Sequence, residues 1–150
     1  MSGINGVFRP LDISGSALTA QRFRMEVISS NLAYSDIDSR SGWTPYKRRE
    51  VSFQAVLDES IGSSSNAVPY LGVRAKVEVD NSQGQRIPAP NGAKYGDGPG
   101  IYPDNTIEKS NVDVSQEMVR LLEASKNYEA NIAAVKAFRE MVNRALSIGR

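Results

Sequence analysis

The sequence predicts a mainly α protein with a small β insert. Long N- and C-terminal helices are expected to pack as a coiled-coil-like pair, with an irregular, β-hairpin-containing middle segment between them. Three features carry this reading. Val114 to Ile148 runs without Pro or Gly. Leu11 to Leu32 repeats apolar residues at helical spacing. Between these stretches the pattern changes to strand-like alternation punctuated by Gly and Pro.

Met1 to Pro10 contains Gly3, Gly6 and Pro10 and is expected to be loose or a short turn. From Leu11 one seam reads Leu11, Ser14, Leu18, Gln21, Met25, Ile28 and Leu32, flanked by Ile13, Ala17, Ala20 and Val27. So broad an apolar stripe suits a helix that touches more than one neighbour. Gly15 costs about 1 kcal/mol relative to Ala in such a helix.

Ser35 to Thr44 is rich in Ser and Asp and reads as a loop. Trp43 and Tyr46 flank Pro45 as core anchors or interface residues. Lys47, Arg48 and Arg49 form a basic cluster, either a solvated face or a set of partners for acidic groups on a neighbour. Val51, Phe53 and Ala55 alternate with Ser52, Gln54 and Val56, which predicts a strand over Glu50 to Leu57. Val68 to Asp80 gives a second strand, with Val73, Ala75, Val77 and Val79 on one face. Asn81 to Gly84 is expected to turn the chain, and Gln85 to Ile87 to return as a hairpin arm. Pro88 to Gly100 reads as irregular chain.

Asp113, with Gln116 three residues on, has the pattern of a capping box. From there Met118, Leu121, Ser125, Tyr128, Ile132 and Val135 recur in alternating steps of three and four. The seam continues through Phe138, Val142 and Ala145, with one residue of phase lost between Val135 and Phe138. A helix from Val114 to Ile148 is about 50 Å long and needs a partner surface along its length. The expected organisation is an N-terminal helical arm (1–34), a loop and extended segment (35–59), a β-rich insert (60–108) and a C-terminal long helix (109–150).

Composition narrows the function. The chain has no Cys and no His, which removes thiol chemistry, the commonest general base and the commonest metal ligand. Asp36, Asp38, Asp97 and Asp104 lack metal-ligand spacing, and Gly92 to Gly100 lacks the Lys and Ser/Thr of a phosphate loop. The reading is therefore not an enzyme, with no catalytic, cofactor or metal site. A formal net charge of +1 gives no electrostatic case for nucleic acid. No apolar run reaches the roughly eighteen residues of a membrane span, and no cleavable signal pattern opens the chain. What remains is a structural or interaction protein.

The residues then carry a resemblance. Ser16-Ala17-Leu18-Thr19-Ala20-Gln21-Arg22 through Met25, followed by Ser29-Ser30-Asn31-Leu32-Ala33, resembles the N-terminal signature of bacterial flagellar rod and hook proteins. Tyr46-Lys47-Arg48-Arg49 leading to Val51 and Phe53 resembles their next block. Asn111-Val112-Asp113 with Glu117-Met118, then Tyr128-Glu129-Ala130-Asn131, resembles their closing helix. Tyr34, Ser35 and Asp36 depart from the usual continuation, and residues 60–108 match poorly. The short length is similar to that of proximal rod subunits.

The resemblance implies a structural subunit of the proximal rod of the flagellar basal body. Its terminal helices would assemble into a hollow periplasmic drive shaft that transmits torque and encloses the export channel. Its partners would be other copies of itself, other rod subunits and the flagellar type III export apparatus, which would take it across without a cleaved signal. Assembly contacts are expected at Leu18, Met25, Ile28 and Leu32 of the first helix. On the last they are expected at Met118, Leu121, Tyr128, Ile132, Val135, Phe138 and Val142. An intrachain two-helix core would use the same residues. The competing readings are a paralogous proximal rod protein and, from a different class, a coiled-coil adaptor of the cytoplasm that forms a closed oligomer. Asn31 and Asn131 are expected to be structural hydrogen-bonding residues.

Overall fold

A computed structural model of the chain describes residues 3–39, 44–58, 70–90, 100–102 and 104–148. Its elements, in order, are helix α1 (Gly3–Ala33), strands β1 (Arg49–Asp58), β2 (Tyr70–Val79), β3 (Arg86–Pro88) and β4 (Thr106–Glu108), and helix α2 (Val114–Ile148). Two long helices thus bracket two small sheets, one pairing β1 with β2 and the other β3 with β4. Trp43, most of the Gly-rich stretch before Gly100 and the closing Gly149 lie outside the described residues.

α2 takes the bounds that the Pro- and Gly-free run dictates. Asp113 caps it, its Oδ1 accepting the N–H groups of Ser115 at 2.9 Å and Gln116 at 3.3 Å. Buried and half-buried residues run unbroken through Glu117, Leu121, Ala124, Tyr128, Asn131, Val135, Phe138 and Val142. The polar and small members Glu117 and Ala124 are fully buried, and Met118 faces out at 55% exposure.

α1 begins before the expected Leu11. Pro10 removes only its own N–H from the ladder, and the helix passes it. Farther along, Ser16, Thr19 and Ser30 return their hydroxyls to carbonyls one turn back, so these polar residues cost the helix little.

The expected hairpin return from β2 through Gln85 to Ile87 is corrected. β3 pairs instead with β4, antiparallel, with Arg86 opposite Glu108, Ile87 opposite Ile107 and Pro88 opposite Thr106. Gly84 explains the diversion. Its missing side chain lets the backbone press against Lys109, where a Cβ would lie 1.7 Å from the carbonyl oxygen. Lys109 N–H donates to Gln85 O at 2.9 Å in the same place. Beyond it the Asn105 N–H donates to Tyr102 O at 3.0 Å, Asn105 takes φ 61°, and Asp104 accepts the Thr106 N–H and hydroxyl.

Two compact units result, Met1–Met25, Ser52–Lys76 and Leu122–Arg150 in one, Glu26–Val51 and Val77–Leu121 in the other. In the first, Ala20 and Ala124 are buried, and Ser16 Oγ accepts the Val73 N–H at 3.0 Å. In the second, Val27, Ile28, Val51, Ala89 and Ile107 form the apolar core.

Gly84→Ala is expected to lower the thermal midpoint by several degrees, because overpacking against backbone costs about 1–3 kcal/mol. Gly15→Ala, which meets open space, should raise stability by roughly 0.5–1 kcal/mol. Calorimetry of both variants checks the pair; a stable Gly84→Ala protein would contradict the close approach.

Candidate functional site

The second unit is organised by one side chain. Asn31 sits in the last turn of α1, one turn beyond Val27 and Ile28, and is fully buried. Its amide meets four partners. Nδ2 donates to Arg49 O at 2.8 Å and to Glu117 Oε2 at 2.9 Å. Oδ1 accepts the Arg49 N–H at 3.0 Å and the Tyr46 hydroxyl at 3.0 Å. An Asn side chain has two donors and two acceptor sites, so this one is saturated. Its two bonds to Arg49 reproduce the exchange of N–H and C=O that a neighbouring strand would make. The end of α1 thereby closes the first residue of β1 and holds the first turn of α2.

Glu117 brings a buried charge to this point, 1% exposed. Oε1 pairs with Arg120 Nη1 at 2.9 Å and lies 3.7 Å from Arg48 Nη1. Its place in the first turn of α2 also suits the helix dipole. Arg48 reaches Glu50 at 3.1 Å and Asp80 at 3.3 Å. Asn111 works beside it: Oδ1 accepts the Arg48 N–H at 2.7 Å and Nδ2 donates to Asp80 O at 3.0 Å. The Asp80 N–H to Arg48 O bond at 2.8 Å closes the same corner.

Lys47 completes the arrangement with Glu108, at 2.7 Å. The Glu108 carboxylate also accepts the Gly84 N–H at 2.8 Å and the Tyr102 hydroxyl at 3.3 Å. Burial pushes its pKa up; Lys47, the Gly84 N–H and the Tyr102 hydroxyl outweigh that and leave it below the ordinary value. Asp80 is lowered by Ser82 and Arg48, and Asp104 chiefly by Thr106. The Tyr46 hydroxyl is pushed up, first by burial, against the pull of Arg49. The ring of Tyr46 lies 5.4 Å from that of Tyr34 and 5.9 Å from the Arg49 guanidinium. Two members of the basic cluster, Lys47 and Arg48, are thus paired within the chain.

This constellation fastens the end of α1 to β1 and to the first turn of α2. Among the described residues no group of three or more Asp or Glu gathers as a metal site, and none of their helices is long and apolar enough to cross a membrane. One cavity of about 620 Å³ lies in the first unit between Ser16, Thr19 and Phe23 of α1 and Val56, Val73 and Arg74 of the ribbon.

The structure distributes the residues expected at assembly contacts. Ile28 is buried in the second unit and Met118 is exposed. Leu18, Met25, Leu32, Leu121, Tyr128, Ile132, Val135, Phe138 and Val142 are half-buried along their helices. A further set faces out and was missed by the seam argument: Val119 at 55%, Leu122 at 63%, Met141 at 59%, Leu146 at 68% and Ile148 at 85% exposure. The signal was present, since an apolar residue off the main seam of a helix must find cover elsewhere or remain in water. Asn31 had its own signal, an amide at a core position between Ile28 and Leu32.

Comparison with known proteins follows the same two ends. Residues 11–33 match the family profile described as flagella basal body rod protein. Residues 104–148 match that described as flagellar basal body rod FlgEFG protein C-terminal. The chain is 36% identical to the flagellar basal-body rod protein FlgC of Bacillus subtilis (strain 168), over 95% of this chain and 98% of that one. It is 31% identical to FlgC of Salmonella typhimurium, over 93% and 95% of the two chains. FlgC of Borreliella burgdorferi is likewise 31% identical, over 95% and 97%.

Asn31→Leu is expected to cost about 3–5 kcal/mol, because it strands the buried Glu117 carboxylate and both Arg49 backbone groups. In a double-mutant cycle with Glu117→Gln, urea unfolding should show coupling above about 1 kcal/mol. Additive losses would mean the clamp does not act as a unit. Acid supplies a second check. Asp80, Asp104 and Glu108 titrate below their unfolded values, so their contribution is present above the ordinary carboxylate range and is lost as pH falls through the lowered values. The thermal midpoint should drop over that window, and Glu108→Gln should lower it at neutral pH while flattening the drop.

Proposed function

This chain belongs to the flagellar basal-body rod protein FlgC family, and from that premise we propose that it is a structural subunit of the proximal rod. The observation that supports this most is the alignment to FlgC of Bacillus subtilis, which spans nearly the whole of both chains. The family is one of structural rod components, and the architecture suits it: two long helices bracket the chain, and the closing one, α2, leaves much apolar surface exposed.

In this reading the terminal helices pack as a coiled-coil-like pair and against neighbouring subunits, both copies of this chain and other rod proteins. Together they build a hollow periplasmic shaft that passes torque outward and encloses the export channel. The subunit reaches its place through the flagellar type III export apparatus. The work is mechanical, and no step of it needs an active site. The contact surface combines the half-buried Leu18, Met25, Leu32, Leu121, Tyr128, Ile132, Val135, Phe138 and Val142 with Met118 and the outward residues of α2; Ile28 supports them from the core.

Leu122→Asp and Met141→Asp separate assembly from folding. Both positions are more than half exposed in the free chain, so stability should change by less than about 0.5 kcal/mol. Incorporation into basal bodies and swimming should be lost, because a carboxylate would be buried in a packed interface. Normal motility in the double variant would refute the assembly surface. A closed oligomer of fixed size, measured by light scattering on the purified chain, would favour an adaptor over a rod subunit.

A further inference from the structure

The second unit carries a groove of about 570 Å³ beside the clamp, lined chiefly by Ile37, Pro45, Tyr46, Lys47, Arg49 and Val79. Ile37 and Val79 are apolar yet exposed. Tyr and Arg among such residues are the composition of an interface centre. The charge in this groove is not balanced. Lys47 is taken by Glu108 at 2.7 Å, which also satisfies the one carboxylate of the lining. The Arg49 backbone is held by Asn31, but its guanidinium lies exposed, 5.9 Å from the Tyr46 ring. Among the described residues no carboxylate pairs with it. The groove therefore suits an apolar segment that brings one acidic side chain.

Helix α2 presents such a segment. Its four glutamates are Glu117, Glu123, Glu129 and Glu140. Glu117 is buried in the clamp. Glu140 has Lys136 and Arg144 one turn away on either side. Glu129 has no exposed large apolar residue beside it. Glu123 directly follows Leu122 and stands one turn beyond Val119, both of them more than half exposed. Arg120, three residues before it, is already bound to Glu117 at 2.9 Å, and among the described residues no cation pairs with Glu123. Val119, Leu122 and Glu123 follow the i, i+3, i+4 spacing by which a helix seats in a groove.

We infer that the groove receives this strip of α2 from a second copy of the chain, the Glu123 carboxylate on the Arg49 guanidinium and Val119 and Leu122 against Ile37 and Val79. Groove and strip are different patches, so each copy that joins leaves one of each open and the contact repeats without closing. Groove against groove would leave both Arg49 side chains without a carboxylate. The choice of a repeating contact between copies rests on the rod reading; the unmatched charges of Arg49 and Glu123 do not.

Charge reversal tests the pair. Arg49→Glu and Glu123→Arg should each cut the basal-body content of the chain roughly tenfold or more, as losing a docked charge pair does. The chain carrying both substitutions restores the pair with its signs exchanged and should recover most of that content. Undiminished content in either single variant, or no recovery in the double one, would overturn the inference. A second arm leaves both charges in place and uses the lack of Cys. Differently tagged Val79→Cys and Val119→Cys chains are produced together in cells lacking the native one, and isolated basal bodies are treated with a short bis-maleimide. A cross-linked dimer carrying both tags is expected. Self-linking of Val79→Cys, a link to a different rod protein, or no link with both chains present would overturn the site. If the tagged, otherwise unaltered chain is absent from basal bodies, the rod reading fails and this inference fails with it.

Discussion

Everything in the second unit depends on a single buried amide. Asn31 is placed where an apolar side chain would be the simple choice, and it holds that place because all four of its hydrogen-bonding positions are met. A polar group in a core is costly when one partner is missing and specific when none is. An apolar residue of similar volume could fill the space, but it could not tell β1 from any other strand. The amide admits Arg49 in one register, Tyr46 in one orientation and α2 with Glu117 turned inward. Register, turn and helix phase are thereby set together.

The ionic groups extend the same logic. Glu117 is a buried charge, and such charges are tolerated when paired and hydrogen-bonded. Arg48 and Arg120 supply the charge and Asn31 the remaining bond. Asn111 then ties the start of the closing helix to both strands of the ribbon through Arg48 and Asp80. The residues of the three sequence blocks that signal the family, Asn31, Arg48 with Arg49, and Asn111 with Glu117, are thus one network. Their spacing along the chain reflects the distance between elements that must meet.

Much of the fold could be read from the sequence because its strongest signals are local. The Pro- and Gly-free run and the Asp113 cap define α2, and the alternation about Phe53 and Val77 defines the ribbon. The errors share one cause. Pro10 and the early glycines looked like breakers, but a helix tolerates the loss of one bond. The apolar repeat of α2 points to Met118, which is exposed, whereas its neighbour Glu117 and Ala124 are buried. No hydrophobicity argument selects a glutamate for a buried position. β3 was paired with its neighbour in sequence because nothing local announces that Gly84 must lie against Lys109. The clamp was half legible: Asn31 was recognisable as a hydrogen-bonding residue, but its partner Glu117 was not. The exposed face of α2 was overlooked because attention to one seam hides a second.

The separation of the clamp's two halves has a kinetic consequence. Asn31 and Glu117 stand 86 positions apart, and contacts of such long range are slow to form because a large loop must be closed first. Any process that delivers the chain from its N-terminus presents Asn31, Tyr46 and Arg49 well before Glu117. Until the closing helix emerges, the amide has only part of its complement, and the junction has no second helix to hold. The second unit is therefore completed late, when almost all of the chain is available.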